Sequence, residues 1–346
     1  MDSNTRRLFD AYCARVAQAN GVSSAHTQFT VTPAVEQRLE AAIRQDSSFL
    51  QLINIQGVRD ISGQAIGVGT TGTIAGRTDT SGSGVRTPRE MHALNGESYI
   101  CSQTDFDTAI RYATLDAWSS QPNFNALVSA QIVSQMAEDR IMIGWNGTSV
   151  AATTNRNTNP LLQDVNKGWL QRYRDDNPER VMDEGVTGSG IIKIGGTNPD
   201  FANLDALVYQ AVHELIHPRM HGSPRLRVML GIGMLDEKYF PLINTSNAPS
   251  EQNALDVLMS KKAVGGVQAL LVPFMPLGTI KIGDPANLSI YYQRGARRRH
   301  IKDEPTKNRI ENYESSNEAY VVENYEFGCV LENIQFGDGV QQGGGD

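Results

Sequence analysis

The 346-residue sequence predicts an α+β protein, with helices and antiparallel strands in separate runs and no alternating βαβ units. Three stretches carry that expectation. Residues 122–143, PNFNALVSAQIVSQMAEDRIMI, place Phe124, Leu127, Val128, Ala130, Ile132, Met136 and Ile141 at helical spacing, so one long helix is predicted there. Residues 57–105 are crowded with Gly, Thr and Ser, which favours extended backbone with little apolar surface to bury. The C-terminal stretch from Leu288 to Phe336 alternates apolar and polar residues over several strand-length pieces.

Taken in order, residues 3–20 predict a short amphipathic helix, with Leu8, Tyr12, Val16 and Ala19 on one stripe, Phe9 beside it, and Asn20-Gly21 as its stop. The small, polar run VSSAHTQFTVTP that follows reads as a flexible tether, so the first ~30 residues form a detachable segment. A second helix from Pro33 presents Val35, Leu39, Ala42 and Ile43, and FLQLINIQGV then turns strand-like. Residues 57–105 predict a hairpin arm with strands near 64–75 and 97–110 and a tip near Ser81–Pro88. Pro122 opens the long helix, and Gly144 with Asn146-Gly147 closes it. Further helices are expected in LLQDVNKGWLQRYRDD, at 200–216 and at 250–262; strands are expected at 191–194, 226–232, 267–275 and 279–282. The Gly-rich acidic end, residues 337–346, reads as a flexible tail.

Composition excludes several classes. A formal net charge of −7 gives the molecule no electrostatic reason to coat nucleic acid. Three widely spaced cysteines, Cys13, Cys101 and Cys329, argue against a disulfide framework and for a reducing compartment. No apolar run reaches the ~18 residues of a membrane span, and the start lacks a secretion signal, so no membrane partner is expected.

Three motifs invite a chemical reading. HELIH at 213–217 has the H-E-x-x-H spacing in which two imidazoles hold zinc and the glutamate activates a water, which makes a metallopeptidase the alternative to weigh. His213 and His217 lie off the apolar stripe of their helix, however, and Pro218 pushes His217 away from α geometry. His221 and Glu237 would be the third-ligand candidates. GVGTTG, with Gly67, Gly69 and Gly72, fits G-x-G-x-x-G, but TIAGRTDTSGSG cannot continue as the helix whose amino end would receive a pyrophosphate. These glycines read instead as an extended arm that lets another backbone approach closely. The basic cluster Arg297, Arg298, Arg299, His300 and Lys302 is balanced by Asp303, Glu304 and Glu311, so a solvated turn or a charged subunit contact is expected. No catalytic residue, metal ligand or cofactor site follows from these patterns.

Long stretches carry a family resemblance: FTVTPAVEQRL (29–39), FLQLINI (49–55), IGVGTTGTIAGRTDT (66–80), IRYATLDAW (110–118), NPLLQDVNKGWLQRYR (159–174), DEKYFPLIN (236–244), NLSIYY (287–292) and RIENYESSNEAYVVENYEFGCVLENI (309–334). In them the chain resembles the major capsid proteins of the peduoviruses, the P-two-like temperate tailed phages, from the first helix to the start of the tail. The resemblance implies the HK97 fold. It assigns residues 1–29 to an N-terminal segment cleaved on maturation at Phe29-Thr30, 30–56 to an N-arm, and 57–105 to the extended loop that each subunit lays over its neighbour. Residues 106–190 and 286–336 would form the peripheral domain with its spine helix, and 191–285 the axial domain. Within the loop, Gly67, Gly69, Gly72, Arg77, Asp79 and Arg86 are the expected intersubunit positions. The implied function is structural and non-enzymatic: pentamers and hexamers closing into an icosahedral shell around double-stranded DNA. The implied partners are the chain itself, a scaffold and maturation protease, and a portal, with assembly in the host cytoplasm.

Overall fold

The computed structural model describes residues 1–65, 75–83, 85–88, 97–119, 124–245 and 262–337. Its centre is one long strand, β15 (Arg309–Val322), which is paired along both edges. On one edge, β13 (Leu288–Gln293) and β14 (Arg298–Glu304) run antiparallel to it in succession; on the other lie β5 (Ser102–Asp105) and β6 (Thr108–Arg111). Strand β2 (Asn54–Val58) joins β13 in parallel, and β1 (Phe29–Thr30) joins β14, completing a seven-stranded sheet.

Helices α1 (Ser3–Asn20), α2 (Pro33–Asp46), α5 (Phe124–Asn146) and α6 (Trp169–Asp176) pack with this sheet around one apolar core. A second core fills the sheet formed by β9 (Arg227–Leu230), β11 (Val267–Leu271), β12 (Ile280–Gly283), β16 (Gly328–Leu331) and their neighbours, covered by α7 (Leu204–Leu215). Two strands from the end of the chain, β16 and β17 (Ile334–Phe336), belong to this second core. Among the described residues no helix is long and apolar enough to cross a membrane. The thiols of Cys13, Cys101 and Cys329 are free and buried, and burial pushes them up to about 12, 11 and 12 respectively, so they stay protonated at neutral pH.

The long helix α5 forms as predicted, but its end differs. Gly144 does not stop it; a Cβ there would lie 2.2 Å from the Trp169 ring, so the glycine is a notch into which α6 docks. Trp169 then meets Trp145, Tyr320 and Phe49 at ring-centroid distances of 5.0, 5.5 and 6.0 Å, mostly edge-on, and donates its indole N–H to the Ser289 carbonyl at 3.0 Å. Helix α6 starts only at Trp169, because residues 161–168 turn, with Leu162 in the left-handed region. Helix α8 (Ile232–Thr245) has no counterpart in the sequence reading, and the helix expected at 250–262 falls almost wholly outside the described residues.

The N-terminal stripe is rotated by one position from its prediction. Thr5, Phe9, Tyr12, Cys13 and Ala17 are buried, whereas Ala19 is exposed. Asp2 caps α1 by accepting the Thr5 N–H at 2.7 Å, and Gly21 ends it in the left-handed region at φ 65°. Helix α2 departs further: alongside Ile43 it buries Glu36 and Glu40, residues that periodicity assigns to solvent.

Glu40 is buried because two guanidinium groups meet it. Arg140 of α5 grips it with bonds of 2.7 and 2.9 Å and reaches Glu318 of β15 at 2.6 Å. Arg297, just before β14, donates to Glu40 Oε1, an oxygen that Arg140 also reaches, and to Glu314 of β15 at 2.8 Å. Both arginine side chains are fully buried. Burial alone would push the Glu40 carboxyl up, but the charges and hydrogen bonds of Arg140 and Arg297 outweigh it and hold the group below its ordinary value. Removing one member strands the others in low dielectric. Arg140→Met is therefore expected to cost about 3–5 kcal/mol in urea unfolding. Because the folded Glu40 value is depressed, its stabilisation is complete above the unfolded value of 4.5 and fades as pH falls through the folded one. Glu40→Gln should thus be less stable at neutral pH and lose less on acidification below that value; an equal acid loss in both proteins would contradict the assignment.

Candidate assembly surfaces

The arm is anchored at its base. Strands β3 (Ser62–Ala65) and β4 (Glu97–Ile100) pair antiparallel, and the Cys101 N–H continues the ladder to the Ile61 carbonyl at 2.7 Å. Tyr99 stands edge-on to Tyr291 of β13, with centroids 5.1 Å apart and ring planes at 86°. With Cys101, Ala319 and Val321 these rings form a third, small apolar cluster on the outer face of the seven-stranded sheet. Gly63 makes the approach possible, since a Cβ there would meet the Tyr99 hydroxyl at 2.9 Å and its ring at 3.0 Å.

Beyond this base, residues 75–83 and 85–88 are exposed throughout, and Val85 is 79% exposed. Arg77, Asp79 and Arg86 lie on this exposed part; Gly67, Gly69 and Gly72 lie outside the described residues. Asp79 accepts from the Ser81 N–H at 2.9 Å and hydroxyl at 2.6 Å, and these bonds lower its pKa. This is a local turn within the exposed segment. An extended segment without a core, held rigidly at one end, leaves its backbone and side chains available to another molecule.

The segment predicted as a flexible tether is instead bound to the sheet edge. Phe29 and Thr30 pair with Arg299 and Arg298, the Val31 N–H donates to the Arg297 carbonyl at 2.9 Å, and the Ile301 N–H donates to the Ala25 carbonyl at 3.0 Å. Ala25, Phe29 and Val31 are buried, and composition hid this because small and polar residues alternate with those three contacts. The expected junction Phe29-Thr30 therefore sits inside a two-residue edge strand, with Phe29 buried and Thr30 exposed.

The basic cluster also needs correction. Arg297 belongs to the buried network, and Arg299 bonds Asn312 at 2.8 Å and the Tyr12 hydroxyl at 2.9 Å; Arg298 is exposed, and Lys302 pairs with Glu304 at its surface. Of the acids expected to balance the cluster, Glu304 pairs with Lys302, whereas Asp303 pairs with Arg6 and Glu311 with Arg309; Arg297 takes Glu40 and Glu314 instead. The overlooked residues are Glu40 and Arg140, and the signal for Arg140 was a lone cation between Ala137 and Ile141 on the apolar side of α5.

HELIH does not form a two-histidine helical site. Helix α7 ends at Leu215, Ile216 is already extended, and His217 caps the short 3-10 turn begun by Pro218, accepting from the Arg219 N–H at 3.2 Å. His213 bonds the Tyr209 carbonyl at 2.8 Å, His221 bonds the Ile216 carbonyl at 2.9 Å, and Glu214 accepts from Gln210 at 3.0 Å. Among the described residues, no group of three or more His, Cys, Asp or Glu side chains is placed to hold a metal ion.

Comparison with known proteins agrees with this geometry. The family described as phage major capsid protein, P2 family, matches residues 8–334. The capsid protein of Escherichia phage P2 is 43% identical over 98% of this chain and 96% of its own length. The major capsid protein of Serratia phage KSP20 is 40% identical over 98% of this chain and 97% of its own. A chain from the procapsid of satellite phage P4 with its size determination protein superposes with a TM-score of 0.81 at 41% identity, covering 98% of this chain and 99% of that one. An α+β body of the HK97 type, with an anchored and exposed arm, defines a viral shell subunit. The chain belongs to the P2 family of phage major capsid proteins, the structural subunits that form the icosahedral head shell of a tailed phage.

Gly63→Val should push Tyr99 off Tyr291 and loosen the arm at its root. Hydrogen exchange at the Cys101 amide is expected to quicken while the amides of β15 stay protected; unchanged exchange at Cys101 would deny Gly63 that role.

Proposed function

We propose that the chain assembles as pentamers and hexamers in which each arm lies over a neighbouring subunit. The observation that carries this reading is the contrast between the anchored base at Tyr99 and Tyr291 and the exposed residues 75–83 and 85–88. Arg77, Asp79 and Arg86 would then meet the neighbour through ion pairs and hydrogen bonds, with Gly67, Gly69 and Gly72 allowing close backbone approach. Each contact can be modest, because closed symmetry lets every subunit bind several neighbours at once.

The two large cores support two domains, a peripheral one read at residues 106–190 and 286–336 and an axial one at 191–285, with the bounds crossed by Cys329, Leu331 and Ile334, which lie in the second core, and by Met229, Val272 and Met275, which lie in the first. In this division β16 and β17 return from the end of the chain to complete the axial core. Residues 30–56 form the N-arm and 57–105 the extended loop. Residues 1–29 are removed by a maturation protease at Phe29-Thr30, in company with a scaffold, and a portal completes the head. Double-stranded DNA is enclosed without a dedicated binding site, in keeping with the net charge of −7. The role is non-enzymatic, and assembly takes place in the host cytoplasm before the shell becomes part of the virion.

Deleting residues 70–90 is expected to leave a folded, soluble subunit that builds no stable shells by negative-stain microscopy. Normal closed particles from that deletion would refute the role given to the arm.

A further inference from the structure

Residues 1–29 are held by many contacts that do not depend on the peptide bond after Phe29. Phe9, Tyr12, Cys13, Ala17, Ala25 and Phe29 are all buried, and each lies on the N-terminal side of the proposed cut. Polar contacts accompany them. The Asp2 N–H donates to Asp116 at 3.0 Å, Arg6 donates to Asp303 at 2.5 Å, and Arg299 donates to the Tyr12 hydroxyl at 2.9 Å. His26 bonds the Ile301 carbonyl at 3.0 Å, beside the Ala25 carbonyl that receives the Ile301 N–H. Phe9 and Tyr12 of α1 face their floor across a small cavity of about 20 Å³. That floor consists of Ile110, Leu115, Val128, Ile132, Ile301 and Ile310, contributed by β6, α4 (Tyr112–Trp118), α5, β14 and β15.

We propose that this groove is a peptide-binding site for residues 1–29, and that cutting the chain after Phe29 leaves the peptide seated as a non-covalent partner of the subunit. The proposal rests on the cleavage reading above for its biological setting. Hydrolysis adds one water across the amide, giving Phe29 a carboxylate and Thr30 an ammonium group, and none of the contacts named above involves that bond. Departure of the peptide would expose six large apolar side chains in one patch, which water disfavours, and would strip Asp303 and Arg299 of their Arg6 and Tyr12 partners. Loss of the covalent link removes the high effective concentration of the segment, and the buried apolar contacts are what oppose its escape.

The test uses the full chain with a recognition sequence for a site-specific protease inserted between Thr27 and Gln28, which are both exposed. After cutting, dissociated subunits are passed over a size-exclusion column and weighed by native mass spectrometry. The peptide is expected in the subunit peak at one copy per subunit, and Phe9→Ala with Tyr12→Ala is expected to lose it from that peak. Peptide that leaves the wild-type subunit, whether the remainder stays in solution or precipitates, overturns the proposal. The cleavage reading fails separately: the mass of subunits from mature particles would then place the new amino terminus elsewhere, while retention after the engineered cut would stand.

Discussion

The structure is organised around a buried chain of alternating charge, Glu318–Arg140–Glu40–Arg297–Glu314. It joins helix α2, the long helix α5, the turn before β14 and two positions of β15, with directly bonded partners up to 257 apart in sequence. Two arginines and three glutamates taken out of water are costly, and only nearly complete hydrogen bonding makes the arrangement tolerable. In return the network favours one register: a slip of β15 by one residue would turn Glu314 and Glu318 to the opposite face and leave both arginines with Glu40 alone to share. Every surface implicated in assembly hangs on that strand or on α5. The arm base leans on Ala319 and Val321, and the N-terminal helix rests against α5 and β14.

A packed centre with two extensions suits a subunit that must join several neighbours. The extensions differ in kind. The arm is anchored at Tyr99, and its residues 75–83 and 85–88 are exposed, so on the proposed assembly contacts with another subunit offset the cost of ordering them. The N-terminal segment already has its groove, filled by its own aromatic residues. The net charge of −7 adds mutual repulsion between subunits at long range, which salt screens.

Much of this was legible in the residues. The apolar spacing over 124–146 gave α5, the Gly/Thr content of 57–105 agrees with the exposure of residues 75–83 and 85–88, and Pro218 foretold that His217 would leave the helix of His213. What periodicity could not reach were positions whose role depends on a distant partner. Glu36 and Glu40 face inward because arginines and a turn meet them there, Gly144 is a notch because Trp169 arrives from another helix, and the polar run at 21–32 is fixed because β14 offers an open edge. Each is a case of tertiary contact overriding a local preference. The family resemblance supplied the fold and the shell, and the chemistry of its buried charges emerged only from the packing.

On the proposed assembly, residues 75–83 and 85–88, which are exposed in the lone subunit, are covered by another subunit in the shell. Hydrogen–deuterium exchange of these amides, measured on dissociated subunits and on assembled particles in the same buffer, tests this most directly. The account predicts rapid exchange in the subunits and strong protection in the particles. Equally rapid exchange in both would mean that nothing covers the arm and would contradict it.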